Sequence, residues 1–251
     1  GGHFTAYEGD PLFAFEGTVG AFPNAQVVHY RISDFVFHLF PNKIARAIED
    51  ASTSAKCDVI SMSQGALPSR CLADAVNAAY ERGVCISAAA GNYFNPGVRH
   101  MVWPARYKRV LAATAATSKN QQYRIEGLLK MSCCYGPREA MDHAIAAYSP
   151  NITWARYDCF DRLDAEGSGS SCTAAQIAAA AALVVHAAKA TGRVEPGSPE
   201  RVRLVQQALY STAASDRNAQ SKRFFGTGIV QALDAVHHVI DPANQVPDPI
   251  P

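Results

Sequence analysis

Gly169-Ser170-Ser171-Cys172-Thr173-Ala174-Ala175-Gln176-Ile177-Ala178 is a glycine-led turn that runs into an alanine-rich apolar stretch continuing toward Lys189. The pattern is that of a helix start. A serine there has its hydroxyl beside backbone N–H groups the helix cannot satisfy, at the positive end of the helix dipole. Both features favour the negative charge that develops in acyl transfer. A plain N-cap has the same look, because a serine oxygen also accepts from the free amides of a first helical turn. The stretch therefore establishes a helix and offers Ser171 as a candidate nucleophile; its surroundings have to decide between the two roles.

Working outward, the preceding residues alternate between two periods. Residues 27–32 form a β-rich run, and residues 43–55 carry Ile44, Ala45, Ile48 and Ala51 at helical spacing. Residues 58–63 are a second short apolar run. Leu72, Ala75, Val76, Ala79 and Tyr80 mark another amphipathic helix, closed at Gly83. Residues 84–90 and 110–115 are further buried runs. Strand and helix in alternation predict an α/β fold of three layers, a mostly parallel twisted sheet with helices on both faces. Beyond residue 116 the period is lost, and long polar surface connections are expected up to Ser170. After the alanine-rich helix, Ser198-Pro199-Glu200 is a helix start signal, Gly226 and Gly228 bound a turn, and a last helix covers residues 230–239. The expected organisation is one domain over residues 1–240 and a proline-spaced tail over residues 241–251.

Two strand exits carry chemistry. Ala88-Ala89-Ala90-Gly91-Asn92 ends a buried run with an asparagine, whose side-chain amide is a suitable oxyanion donor; losing such a donor costs about 3 kcal/mol. The alternative is an ordinary Gly-Asn turn. Ser61-Met62-Ser63-Gln64-Gly65 runs out into small residues, where open backbone would let an extended peptide pair as an added strand; the alternative is a simple loop exit.

An open strand, then Ala-Ala-Gly-Asn, then a glycine-serine helix start resembles the subtilisin-like serine proteases, in the order that family uses. The resemblance begins at Gly20-Ala21-Phe22-Pro23-Asn24-Ala25, similar to the family's Gly-Val-Ala-Pro-Asn-Ala stretch. It continues through residues 58–65 and 89–92, and Gly169-Ser170-Ser171 matches the glycine-threonine-serine nucleophile motif. It closes at Gly226-Thr227-Gly228-Ile229-Val230-Gln231-Ala232. What the resemblance implies is a serine endopeptidase with Ser171 as nucleophile and an oxyanion hole made of the Asn92 side chain and the Ser171 N–H. Ser63, Gln64 and Gly65, with Ala89, Ala90 and Gly91, would line the substrate groove and primary pocket. It also implies a cis bond at Trp103-Pro104.

The chain departs from the family pattern in several places. Ala175 and Gln176 stand where many relatives have proline and histidine, and Ser170 where they have threonine. The histidine motif should fall shortly before Gly20, where the candidate stretch is Gly1-Gly2-His3-Phe4-Thr5-Ala6. Three alignments are open: Gly1 in the histidine's place, the histidine just before residue 1, or His3 itself, displaced by two positions, as general base. The triad aspartate implied upstream has no counterpart among these residues. With the triad broken, the oxyanion hole and binding alone leave about 10³–10⁴ over water, so the chain by itself is expected to be nearly inert. A missing first strand would also expose a sheet edge and an apolar face. A non-catalytic peptide-binding module is the alternative.

Composition narrows the partners. Lysine plus arginine (23) nearly cancels aspartate plus glutamate (22), giving no nucleic-acid or membrane-surface signal. No apolar run reaches the roughly 20 residues of a bilayer span. The expectation is a monomer acting on polypeptide, with neither nucleic acid nor membrane as partner. The seven cysteines show no Cys-x-x-Cys pair, so no zinc or redox site is signalled, and free buried thiols are expected. No cofactor is expected: calcium is common in the family, but no acidic loop here is dense enough to assign a site. The resemblance implies export, whereas unpatterned cysteines favour a reducing compartment.

Overall fold

In the computed structural model the described residues are 3–4, 17–18, 20–94, 97–125, 131–155, 163–215, 219–241 and 243. Along the chain come β1 (His3–Phe4), β2 (Gly17–Thr18), β3 (Phe37–His38), α1 (Asn42–Thr53), β4 (Val59–Met62), β5 (Gly65–Ala66) and α2 (Arg70–Glu81). Then follow β6 (Cys85–Ala89), β7 (Asn92–Phe94), β8 (Leu111–Ala116), β9 (Arg124–Ile125), β10 (Met131–Cys133), a 3₁₀ turn (Arg138–His143) and β11 (Ala144–Tyr148). The remainder is β12 (Ile152–Ala155), β13 (Leu163–Gly167), α3 (Ser170–Thr191), α4 (Pro199–Ser211), α5 (Ala219–Phe225) and α6 (Ala232–Ile240).

The main sheet has four parallel strands in the order β11-β8-β6-β4. Residue alternation along β6 divides the core between its two faces. Ile86 and Ala88 pack with Ile44, Ile48, Leu72 and Val76 of α1 and α2. Cys85 and Ala89 face α3, with Ala174, Ile177, Ala181 and Val184, and behind it Leu204 and Val205 of α4 and Val239 of α6. Each such Val, Leu or Ile contributes about 1.5–3 kcal/mol by leaving water. This is the expected layering of helices on both faces. At 22 residues α3 is long and apolar enough by length and composition to cross a membrane. That revises the expectation of no such run, yet the helix lies packed between the sheet and two other helices.

The predicted helices form with small boundary shifts. Ser69 caps α2, its Oγ accepting from the Leu72 N–H at 3.2 Å, and Pro199 occupies the first turn of α4. Three expectations are corrected. Residues 27–32 form no strand; Val27 and Val28 are exposed, and β4 is an edge strand of the main sheet with no neighbour among the described residues on its outer side. A β-rich run becomes a strand only when a partner takes its hydrogen bonds. Secondly, residues 116–169 are not all surface connection. β11 is a buried strand of the main sheet, its Ala144, Ile145, Ala146 and Ala147 fully covered. Thirdly, the six described cysteines are free, but Cys71 is exposed while Cys57 and Cys172 are half-buried. Cys159 and the tail beyond residue 243 lie outside the described residues. Trp103-Pro104 is cis, as expected, and so are Gly136-Pro137 and Ser149-Pro150.

Candidate active site

The candidate residues collect at the carboxyl ends of β4 and β6, where the start of α3 meets them. Open parallel sheets bind ligands at this edge because helix N-termini and free backbone converge there. Gly169 precedes the helix with φ 82° and ψ −179°, and Ser170 and Ser171 are the first two helical residues.

A set of serines holds this turn. The Gly169 N–H donates to Ser149 Oγ at 2.8 Å, and Ser149 is buried at the end of β11. The Gly91 N–H donates to Ser170 Oγ at 3.1 Å. Ser63 Oγ donates to the Ser171 carbonyl at 2.8 Å, and Ser87 Oγ, from the middle of β6, donates to the Ala174 carbonyl at 2.9 Å. Asn92 closes the set: its Oδ1 accepts from the Ser170 N–H at 3.2 Å. A Cβ added at Gly169 would lie 2.7 Å from Asn92 Nδ2, so the amide nitrogen rests directly against the turn. Among the described residues nothing accepts a hydrogen bond from Asn92 Nδ2, and nothing bonds the half-buried Ser171 hydroxyl.

Sequence reasoning thus named Ser171, Asn92 and Ser63, which the structure brings together, and missed Ser149 and Ser87. Ser149 stood in the stretch expected to be surface loop. The run of small apolar residues before it, Ala144-Ile145-Ala146-Ala147, was the signal available for a buried strand end.

The groove residues are less open than expected. Gly65 does not present a free edge: β3 runs parallel to β5, with the Gly65 N–H on the Val36 carbonyl at 2.8 Å and the Leu67 N–H on the His38 carbonyl at 3.1 Å. On its other side the Ala66 N–H reaches the Trp103 carbonyl at 2.8 Å. Gln64 Oε1 sits 3.2 Å from Nε2 of the buried His38. Ala89 and Ala90 are buried, and Ala90 uses both backbone groups internally, its N–H on Ala113 and its carbonyl on Val102. Gly91 accepts from the Cys134 N–H at 2.9 Å and is partly exposed.

His3 lies in β1 opposite Thr18; its backbone is described and its side chain is not. The other histidines have their own surroundings. His143 is buried against the Ala105 carbonyl, and burial lowers its pKa. His186 meets the Phe22 ring at a tilt of 56°, ring centroids 5.7 Å apart. Burial also raises the thiol pKa of Cys172, the residue after Ser171.

Known proteins match the same way. The subtilase family, Peptidase_S8, matches residues 6–228. Subtilisin DY of Bacillus licheniformis is 28% identical over 173 residues, covering 67% of this chain and 57% of that protein. The minor extracellular protease Epr of Bacillus subtilis (strain 168) is 42% identical over 73 residues, which are 29% of this chain and 11% of Epr. The chain therefore spans less than two thirds of either relative. In fold it is similar to the prenylagaramide maturation protease PagA (TM-score 0.63, 24% identity, 80% of this chain and 68% of that one). It is also similar to the PatG macrocyclase solved in complex with peptide (TM-score 0.64, 20% identity, 80% and 57%). With the family matched along most of its length, and a serine-led helix set at the carboxyl edge of a parallel sheet, this chain belongs to the subtilase family.

Proposed function

We propose that the chain is the nucleophile-bearing part of a serine endopeptidase. Ser171 Oγ bonds to the carbonyl carbon of a peptide, the C–N bond breaks, and the amine leaves with a proton that a base has carried from the serine. Water then cleaves the ester by the same steps in reverse order. The carbonyl oxygen, negative in the intermediate, would be met by Asn92 Nδ2 and the Ser171 N–H, both fixed before the substrate arrives. The observation that carries this reading is Asn92, whose Oδ1 is tied to the Ser170 N–H while its Nδ2, beside the turn, has no acceptor among the described residues. Polypeptide is the proposed substrate, taken by a monomer, with no cofactor assigned. Ser63 and Gly91 are the groove residues the reading retains, and His3 is the candidate base, with the triad aspartate supplied from outside these residues.

One observation favours a second reading, a peptide-binding module without catalysis. No described residue bonds the Ser171 hydroxyl, so nothing described takes its proton. Labelling with a fluorophosphonate probe separates the two. The chain, its Ser171→Ala variant and a protein extended upstream in the source gene are compared. Labelling of the extended protein that vanishes in Ser171→Ala is the expected result. A folded extended protein that does not label leaves the binding module.

A further inference from the structure

Two arginines from distant parts of the chain meet at one phenol. Arg99, in the connection after β7, donates from Nη1 to Tyr135 Oη at 3.2 Å. Arg223, in the last turn of α5, donates from Nη2 to the same oxygen at 3.4 Å. Their guanidinium carbons lie 5.2 and 5.4 Å from the centre of the Tyr135 ring. The phenol itself is held on several sides: its ring meets Phe224 edge to face at 4.7 Å and Tyr93 at 6.4 Å, and the Tyr135 N–H donates to the Arg99 carbonyl at 2.8 Å. Two like charges are thus fixed side by side, and neither has a carboxylate. Arg109 pairs with Glu81, Arg203 with Glu200, and Lys222, next to Arg223, lies 3.7 Å from Asp142. Among the described residues no acidic side chain pairs with Arg99 or Arg223, and both are exposed.

We propose that Arg99, Arg223 and the Tyr135 hydroxyl between them form a binding site for an oxyanion, a carboxylate or a phosphate, built from none of the residues assigned to the Ser171 site. A guanidinium carries five N–H donors in a plane. Each of these two commits one to Tyr135, and the others meet no side-chain or backbone acceptor among the described residues. The hydroxyl accepts from both, and its own proton has no acceptor there either. Donors from three side chains around one point, two of them charged, suit an oxyanion, and guanidinium forks take carboxylate and phosphate in bidentate fashion. Filling the site pairs each cation and also relieves the repulsion between them. The phenol feels the same field. Burial raises its pKa, but the hydrogen bonds and charges of Arg99 and Arg223 outweigh burial and leave it lowered. Through Tyr93 the cluster joins β7, which starts at Asn92, so an acidic side chain of a polypeptide is one source of the oxyanion and a free ion is the other.

The test reads Tyr135 directly, by nuclear magnetic resonance of the extended protein carrying Ser171→Ala, with its tyrosines carbon-13 labelled at Cζ. The Tyr135 resonance is the one lost in Tyr135→Phe. Inorganic phosphate should shift it saturably, with half-saturation at about 1–10 mM, where chloride at equal ionic strength does not. Phosphate should also raise the apparent Tyr135 pKa, because an anion offsets the cations that favour the phenolate. Arg99→Gln and Arg223→Gln should each weaken the response at least about tenfold. Acetate, and N-acetyl hexa-alanine amides with one alanine changed to Glu or to Gln, then distinguish the sources. A Glu peptide that acts at lower concentration than acetate, with its Gln counterpart silent, assigns the site to a polypeptide side chain; one no better than acetate assigns it to a free ion. No saturable shift with phosphate, acetate or any Glu peptide, or a shift that both arginine variants keep, overturns the proposal. Probe labelling of Ser171 in the parent protein is independent of all these results, so the two readings fail separately.

Discussion

Replacing Gly169 by alanine should loosen the nucleophile turn, and Gly192, at the other end of the same helix, supplies the control. Gly169 has φ 82° and ψ −179°, a region essentially reserved for glycine, so a Cβ there costs about 2 kcal/mol in backbone energy. The added carbon would also sit 2.7 Å from Asn92 Nδ2 and 3.2 Å from Asn92 Cγ and Oδ1. Asn92 must move, and its bond to the Ser170 N–H, net about 1 kcal/mol, is lost with it. The sum is about 3 kcal/mol, which for a chain of this size lowers Tm by about 6–12 °C. Gly192, with φ 63° and ψ 22°, is also left-handed, but nothing lies within 4 Å of the added carbon. Gly192→Ala should cost about 1 kcal/mol and about 2–4 °C. Thermal unfolding followed by circular dichroism reads both, and probe labelling of the extended protein should fall for Gly169→Ala alone. Equal losses in the two variants, or a Gly169→Ala protein as stable and as reactive as the parent, would refute the account of how Asn92 is held.

Other changes should separate structural from site effects. Ser149→Ala leaves the buried Gly169 N–H without its acceptor and should cost about 1–3 kcal/mol, seen as a lower urea midpoint at unchanged slope. Asp58 bonds two cations of unequal burial. Arg201 is 5% exposed and also holds the Gly83 carbonyl at 2.7 Å, so Arg201→Ala should cost about 3 kcal/mol; Lys189, 44% exposed, should matter by under about 1 kcal/mol. Burial pushes the thiols of Cys85 and Cys134 up to about 12 and raises that of Cys133, and in the unfolded chain these groups ionise near 8.5–9. Their neutral forms favour the fold, so this contribution is intact below about pH 8.5 and is lost as pH rises toward 12, by up to about 1.4 kcal/mol per pH unit per thiol. Urea midpoints at pH 8, 9 and 10 should decline in that order. In native protein at pH 8, iodoacetamide should modify the exposed Cys71 and leave Cys85, Cys133 and Cys134 untouched.

The sequence was legible wherever period and burial coincide. α1 and α2 show apolar residues at helical spacing because one face of each is buried, and β6 and β8 show continuous apolar runs because both their faces are. β11 escaped notice although its small apolar run is like that of β8, because it is a short piece of a stretch that shows no period around it; parallel pairing with β8 makes it a strand. Residues 27–32 failed in the opposite sense, having the composition of a strand and no described partner. At the site, Ser171, Asn92 and Ser63 were readable because motif order placed them. Two facts were not: that β3 covers the Gly65 edge, and that Arg99 and Arg223 meet at Tyr135. Both depend on segments far apart in sequence meeting in space, which no local pattern encodes.

The mounting of Ser171 has a consequence for how activity would be lost on heating. α3 touches β4, β6, β8 and β11 as well as α4 and α6, so it sits at the centre of the cooperative unit rather than on a lid or a loop. Buried amides past the first turn of such a helix, which have their intrahelical acceptors, exchange with solvent only when the whole domain opens. The nucleophile therefore has no private route to disorder. Heat or denaturant should remove reactivity at Ser171 and the native circular dichroism in one transition, and hydrogen exchange at Thr173 and Ala174 should rank among the slowest in the chain.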